Sequence, residues 1–430
     1  MARRLAVTLA FFGHLLRDLV GTLAARLRRQ WRRAVNGDEV LAVGVDAFPF
    51  FERMTGVGWY AWNLLRQLTE VDPAIELHLY AHTFAAPDEP SPPPLPTGPR
   101  TRFRFHHLPP GFLLPVAPTV AVLRAVVEPL LLALDGVDVY FAPNFFPPRR
   151  HAAAQRRLVV TVHDLAFRHL PNTVQKETLD NLERQLPTTL AAADAIIAVS
   201  QATADDLHAM LGVSDRRVHV VHEGVDATFN APGGALPPGL PARFLLFVST
   251  LEPRKNLTGL LAGFERAAAD GYGGDLVLVG RWGWRTEAAR RAFAGSPVRG
   301  RIHHLDDLDR AALNAAMRRA EALLFPSLLE GFGLPVLEAM ACGLPVITSD
   351  RSSLPEVAGE AALYVDPDDP ASIAGAIMRL NGQPALREQL AEAGRRRAAR
   401  FTWDNAAAAT SSVLRRAAGM PQPFPDAYRV

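Results

Sequence analysis

Two carboxylates, eight positions apart, give this chain its first chemistry. In "EGFGLPVLEAMACGLPVITSD", 330–350, Glu330 stands before Gly331-Phe332-Gly333-Leu334, and Glu338 follows on an apolar segment. The pattern predicts a strand over 322–325, a loop, then a helix over 334–341 stopped by Gly343. Glu338 then lies about one turn inside that helix. Helix capping accounts for Glu330. It does not account for Glu338, because an unpaired charge on an apolar helix beside a core strand is costly. The functional reading is a wall with two carboxylates and, between them, backbone amides that bind hydroxyls or phosphate at a helix start. A carboxylate can accept from both vicinal hydroxyls of a sugar ring or a ribose.

Other stretches carry chemistry too. "FLLFVSTLEPRKNLTGLL" ends a strand at Thr250, places Glu252, Arg254 and Lys255 in a loop, and starts a helix near Asn256. Two cations beside a helix start attract a phosphate, by charge and by free N–H groups. The plain alternative is a solvated charged loop whose cations carry little stability. Lys255 is one of only two lysines, with Lys176, among 46 basic residues. "VVTVHDLAF" puts His163 and Asp164 at a strand exit, where site residues of α/β sheets gather; a histidine there can also be satisfied by backbone alone. Gly56-Val57-Gly58-Trp59-Tyr60-Ala61 fits G-x-G-x-x-A. A dinucleotide reading needs the turn directly after the strand, yet about eight residues separate Asp46 from Thr55, and the next strand ends in His82 rather than an acid. The simpler use is close approach of backbone to an anion or sugar, or only a turn before a helix. Ser200 reads as the N-cap of a helix over 201–211.

Something must position these residues. Short β-rich runs alternate with helical stretches from Val40 onward, which implies parallel sheets with helices on both faces. The alternation breaks at "APGGALPPGLPAR", 231–243, and restarts. A chain of 430 residues suits two domains rather than one core. The predicted division is a basic extension 1–38, a first domain 39–230, a linker 231–243, a second domain 244–400 and a helical tail 401–430 that returns to the first domain. Helices are expected over 59–70, 120–134, 174–192 and 201–211, and the proline-rich 87–99 as a surface loop. Facing α/β domains suggest a cleft with a site on each wall. Net charge is +2, so global charge gives no pointer to nucleic acid. Cys342 is the single cysteine, which excludes an internal disulfide and a cysteine metal cluster and fits a reducing compartment.

In this order and context the motifs identify a resemblance. From about Val40 to past Asp366, "TGVGWYAWNLL", "HDL", "TLEPRKNL", "PSLLEGFGLPVLEAMACGLPVITSD" and "SSLPEVAGEAALYVDP" resemble glycosyltransferase family 4. These are retaining enzymes of the GT-B fold, two Rossmann-like domains facing across a cleft. The resemblance implies that Glu330 lies near the donor sugar and Glu338 holds the ribose. It implies that Arg254 and Lys255 neutralise the diphosphate, that Gly56 and Gly58 approach phosphates and acceptor, and that His163 contacts the transferred sugar. Gly331, Phe332, Gly333 and Leu334 complete the donor wall. Many members have Arg where this chain has Thr250, and Arg254 is expected to stand in for it. The motif set is most similar to bacterial mannosyltransferases that use GDP-mannose in surface polysaccharide assembly, with UDP-sugar donors as the alternative. No cofactor and no metal are expected. Asp307–Asp309 and Asp366–Asp368 have D-x-D spacing but sit where capping explains them. Two rival readings are an NAD-dependent oxidoreductase using the 56–61 loop and a non-catalytic partner subunit of the same fold.

The leader has its own pattern. Leu5, Leu9, Phe12, Leu16, Leu19, Leu23, Leu27 and Trp31 form a helical stripe beside many arginines. No apolar run reaches the roughly 18–20 residues that a span needs, and Arg17 and Asp18 interrupt the apolar part of a possible signal peptide, so the expectation is an interfacial helix on an anionic membrane. An ordinary packing helix or a processed leader are the other readings. The expected partners are thus a nucleotide-sugar donor, a saccharide or lipid-linked acceptor and a membrane surface met through residues 1–35. The expected location is the cytoplasmic face of the membrane.

Overall fold

Runs such as "LAVGVD" and "RLVVTV" are rich in valine and leucine and bounded by turn residues, so they form strands buried on both faces. A computed structural model describes residues 2–36, 40–47, 50, 56–83, 100–107, 113–145 and 157–421. The proline-rich 87–99, the residues just before Gly56 and the last residues of the tail lie outside that description.

Seven strands make the first sheet: β1 (Leu41–Asp46), β2 (Ile75–Thr83), β3 (Thr101–His107), β4 (Val139–Ala142), β5 (Arg157–Val162), β6 (Ala195–Ala198) and β7 (Val218–Val220). They run parallel in the order β3-β2-β1-β4-β5-β6-β7. Six strands make the second: β8 (Phe244–Val248), β9 (Asp275–Val279), β10 (Ile302–Leu305), β11 (Ala322–Phe325), β12 (Val346–Ser349) and β13 (Ala362–Val365). Their order is β10-β9-β8-β11-β12-β13, again parallel. In each sheet the strand order reverses beside the first strand, and the crevice at such a reversal is where ligands bind.

Parallel pairing requires crossover helices. The first half has α1 (Ala2–Asn36), α2 (Gly56–Val71), α3 (Val116–Val122), α4 (Glu128–Asp135), α5 (Ala166–His169), α6 (Lys176–Ala192), α7 (Gln201–Leu211) and α8 (Ala227–Asn230). The second has α9 (Leu257–Ala269), α10 (Glu287–Gly295), α11 (Arg310–Arg319), α12 (Leu334–Ala341), α13 (Leu354–Ala358), α14 (Pro370–Gly382), α15 (Pro384–Ala398) and α16 (Trp403–Ala418). Between α8 and β8 the stretch 231–243 carries no helix or strand. The single helix expected over 120–134 is instead α3, a π-turn at Leu123–Val127, and α4. Pro129 at the second position of α4 has no N–H to donate, and the wider turn absorbs the break.

The last helix returns to the first domain, lying against α2 and β5. Asp72 after α2 takes Ser411 Oγ at 2.6 Å and the Arg415 guanidinium at 2.8 and 3.0 Å. Burial pushes the Asp72 carboxyl up, but these bonds outweigh it and hold it below its usual range. Gly224 passes so close to α16 that a Cβ would sit 2.3 Å from the Trp403 nitrogen.

The leader is one long helix. Phe11 and Leu15 are buried against Val120 and Val127, and Arg26 Nη1 donates to the Ala133 carbonyl at 2.9 Å. Its outer face exposes Leu9, Leu16, Val20 and Trp31, each more than 60% accessible. Contrary to the sequence expectation, Arg3–Ala24 is long and apolar enough to cross a bilayer by length and composition. No unbroken apolar run is needed for this, since the charged residues are few enough to leave a mean hydropathy of 1.3.

Candidate active site

The loops after β8 and β11 meet because those strands are neighbours in the second sheet. A short 3-10 turn, Pro253–Lys255, follows Glu252. Asn256, with φ 55°, then caps α9 through the Gly259 amide, and its own amide holds the Pro326 and Pro367 carbonyls at 3.2 and 2.7 Å. This fixes the cation loop against the Glu330 loop. Lys255 Nζ donates to both Glu330 oxygens, at 2.6 and 2.8 Å. Arg254 donates to Glu330 Oε2 at 3.1 Å, to the Leu329 carbonyl at 3.0 Å and to Glu252 at 2.9 Å.

The expectation of a solvated loop cation is therefore corrected. Lys255 and Glu330 are both buried, because the carboxylate from the neighbouring loop draws the ammonium inward. Burial pushes Glu330 up, but Lys255 and Arg254 outweigh it, so its carboxyl sits below the usual range. Burial and Arg254 lower Lys255, with Glu330 opposing in part. An ammonium has three hydrogens; Glu330 takes two, which leaves one for a further acceptor such as a phosphate oxygen.

His163 follows β5 of the opposite domain directly and is buried. Its Nε2 lies 2.9 Å from the Pro143 carbonyl. A carbonyl only accepts, so Nε2 carries a proton and Nδ1 faces Glu223, 3.6 Å away. Tyr60 of α2 meets the imidazole edge-on at 4.8 Å. His163 also touches the second domain through its backbone. A Cβ on Gly331 would lie 1.9 Å from the His163 carbonyl oxygen, so only glycine allows this approach. The Gly331 carbonyl accepts from Ser200 Oγ at 2.6 Å, and the same Ser200 oxygen caps α7 at Thr203. Gly333, at φ 108°, starts α12, and Leu334 is its first residue. Phe332 is buried and its ring meets Phe401 and His222.

Glu338 is buried inside α12, as the spacing predicts. Its Oε1 accepts from Arg310 Nη2 at 3.0 Å. Burial pushes the carboxyl up to about 7, against the pull of Arg310 and with the help of Asp226 and Glu223. Arg310 begins α11 and reaches across to the first domain, with Asp226 Oδ2 at 3.4 Å and the Trp59 and Phe229 rings each at 4.6 Å. Trp59 follows Gly58, so the glycine start of α2 lies one residue from the ring that meets Arg310. Gly56 is exposed and Gly58 buried at that start.

Glu356 crosses the other way. It starts in α13, accepts from the Gln201 amide at 2.8 Å and from His222 at 2.5 Å, and so caps α7 of the first domain. Glu223, Asp226, Arg310, His222 and Glu356 were not among the sequence candidates. The strand-exit rule applied to "VHVVHEGVD" would have found Glu223 and Asp226. Arg310 has no sequence signal among so many arginines. Thr250 is exposed after β8. Asp309 caps α11, and Asp366 and Asp368 bind Arg351 at 3.1 and 2.6 Å.

Two Rossmann-like domains joined by a linker, with functional groups converging at their facing strand ends, define a GT-B glycosyltransferase. Residues 54–229 match the description "Glycosyltransferase Family 4" and residues 237–397 "Glycosyl transferases group 1". One match lies over each half of the chain, and together they make it a glycosyltransferase of the GT-B type. O-antigen chain mannosyltransferase B of Escherichia coli is 29% identical over 64% of this chain and 74% of its own length. The serotype-specific mannosyltransferase WbdA of Escherichia coli is 30% identical over 50% of this chain but only 29% of its own length. The crystal structure of Anabaena Alr3699/HepE in complex with UDP and glucose superposes over 88% of this chain and 100% of its own, with a TM-score of 0.63 and 15% identity.

Proposed function

We propose that this glycosyltransferase moves mannose from GDP-mannose to a saccharide or lipid-linked acceptor in surface polysaccharide or glycolipid assembly, with retention. The observation that carries the donor sugar is the likeness to O-antigen chain mannosyltransferase B over 74% of that protein's length. In this reading the anomeric C–O bond to the diphosphate breaks and an acceptor hydroxyl oxygen takes its place. The departing nucleoside diphosphate gains negative charge. Lys255, Arg254 and the amides at the start of α12 oppose that charge, the role a metal would otherwise fill. Glu330 holds the two cations in place and borders the sugar. Glu338 accepts from the ribose hydroxyls, and His163, oriented by Pro143, faces the transferred sugar.

A UDP-sugar donor is the second reading, favoured by the shared fold with a protein solved with UDP and glucose. A hydrolysis screen over GDP-mannose, UDP-glucose and other nucleotide sugars separates them. Release of mannose from GDP-mannose alone supports the first; turnover of a UDP-sugar alone replaces it.

The membrane reading gains a second surface. Beside the exposed stripe of α1, Leu113, Leu114, Val122, Val126 and Leu130 of the adjoining α3–α4 segment are also exposed. One face of α1 is packed on the domain, and Arg3, Arg4 and Arg17 are exposed. With one face packed on the domain and the other apolar and flanked by arginine, α1 is read as lying in an anionic interface. The enzyme then works on the cytoplasmic face, where a lipid-linked acceptor would be presented.

A further inference from the structure

We propose that Arg310 is a positioning residue for the donor: it orients the Glu338 carboxylate and keeps it able to accept from the ribose hydroxyls. The proposal rests on the reading of Glu338 as the ribose acceptor and goes one step behind it. The geometry is specific. Arg310 Nη2 donates to one Glu338 oxygen, Oε1, at 3.0 Å, and so fixes the rotation of the carboxylate. The guanidinium carbon lies 4.6 Å from the centroid of the Trp59 ring and 4.6 Å from that of the Phe229 ring, so two aromatic side chains hold it in place. Its Nε is buried with no hydrogen bond and faces Asp226 Oδ2 at 3.4 Å. Trp59, Asp226 and Phe229 belong to the first domain, while Glu338 and Arg310 belong to the second. Arg310 therefore presents Glu338 in its working orientation when the two domains meet.

Charge gives the same answer. The charged groups that act most on Glu338 are Arg310 from α11 and Asp226 and Glu223 from the segment between β7 and α8. Of these three, Arg310 alone favours the ionised form. A protonated carboxyl is a poor acceptor for two hydroxyls. With Glu338 at about 7 even beside Arg310, removal of the guanidinium moves its titration upward, and neutralising Asp226 moves it downward.

The test is the pH profile of GDP and UDP binding, by calorimetry from pH 6 to 9, on the full chain and its variants. The nucleotide's own phosphate titration is common to all and cancels in the ratio to wild type. Arg310→Met is expected to weaken binding roughly tenfold at pH 7, with the midpoint raised by about one unit, in line with loss of an opposite charge at this distance. Binding returns toward wild type at pH 9. Arg310→Lys keeps part of the effect. Asp226→Asn, which still offers an oxygen to cap Thr228, moves the midpoint the other way. A loss in Arg310→Met that is equal at every pH, or no loss at all in a variant that melts normally, overturns the proposal. Parallel shifts in both Arg310→Met and Asp226→Asn also overturn it. A 2′-deoxynucleotide control separates the two levels. If wild type binds GDP and 2′-deoxy-GDP equally and Glu338→Gln loses nothing, the ribose assignment itself has failed. If those two controls behave as expected but Arg310→Met has no pH-dependent effect, only the positioning role has failed.

Discussion

Lys255 and Glu330 form a buried pair, and breaking such a pair leaves one charge uncompensated. Lys255→Ala should therefore cost about 3–5 kcal/mol of stability as well as turnover, and loss of activity alone says little. The informative variant is Lys255→Met with Glu330→Leu. It should recover much of the melting temperature while turnover stays lost; recovery of turnover would assign the pair a structural role only. Glu338 has the opposite thermodynamics. Its folded titration, at about 7, lies above its unfolded one. Its contribution to stability is thus complete at pH below the unfolded value and is lost as pH rises through 7. Glu338→Gln should melt higher than wild type at pH 8, by roughly 1–3 kcal/mol, with the gap closing near pH 5. Equal melting at both pH values would remove the raised titration.

Elements meet across the cleft through helix ends. The N-terminus of α7 offers free amides, and Glu356 of the other domain fills them while His222 holds the same carboxylate. Burial pushes Glu356 up, but His222 and the α7 amides outweigh it and keep it below the usual range. The contact is thus charged at neutral pH and weakens only as acid titrates it. Glu356→Ala should loosen the domain contact without unfolding either domain. Small-angle scattering should show a larger radius of gyration at pH 7, and donor KM should rise. An unchanged radius would mean that other bridges, such as Ser200 to Gly331 and Trp284 to the Thr173 carbonyl, hold the domains by themselves.

At the scale of the whole molecule, one side is apolar and arginine-bearing while the cleft is lined with charge. Deleting residues 1–35 should reduce sedimentation with anionic liposomes, since each basic residue near such a surface contributes about 1 kcal/mol. Turnover on a short water-soluble acceptor should survive. Release by high salt would fit a surface helix; resistance to salt and to carbonate washing would instead indicate that Arg3–Ala24 spans. Activity should also persist in EDTA if, as proposed, Lys255, Arg254 and helix amides take the role of a metal. Loss on chelation with rescue by magnesium or manganese would reverse that view.

Sequence alone determined the local features. Valine- and leucine-rich runs ended by Gly, Pro or Ser gave the strands, because burial on both faces leaves a continuous apolar signature. The break at 231–243 divided two sheets, and the spacing of Glu330 and Glu338 fixed one acid before α12 and one within it. Tertiary structure decided which charges pair. Lys255 and Glu330 are 75 positions apart, Arg310 and Glu338 are 28, and Gln201 and Glu356 are 155. Those partners meet because strand order, unlike chain order, brings the loops after β8 and β11 together and sets the exit of β7 against α11 and α12. Burial then turned a loop lysine into half of a buried ion pair and moved Glu338 to about 7, since the cost of a charge depends on what surrounds it in space, not on its neighbours in sequence.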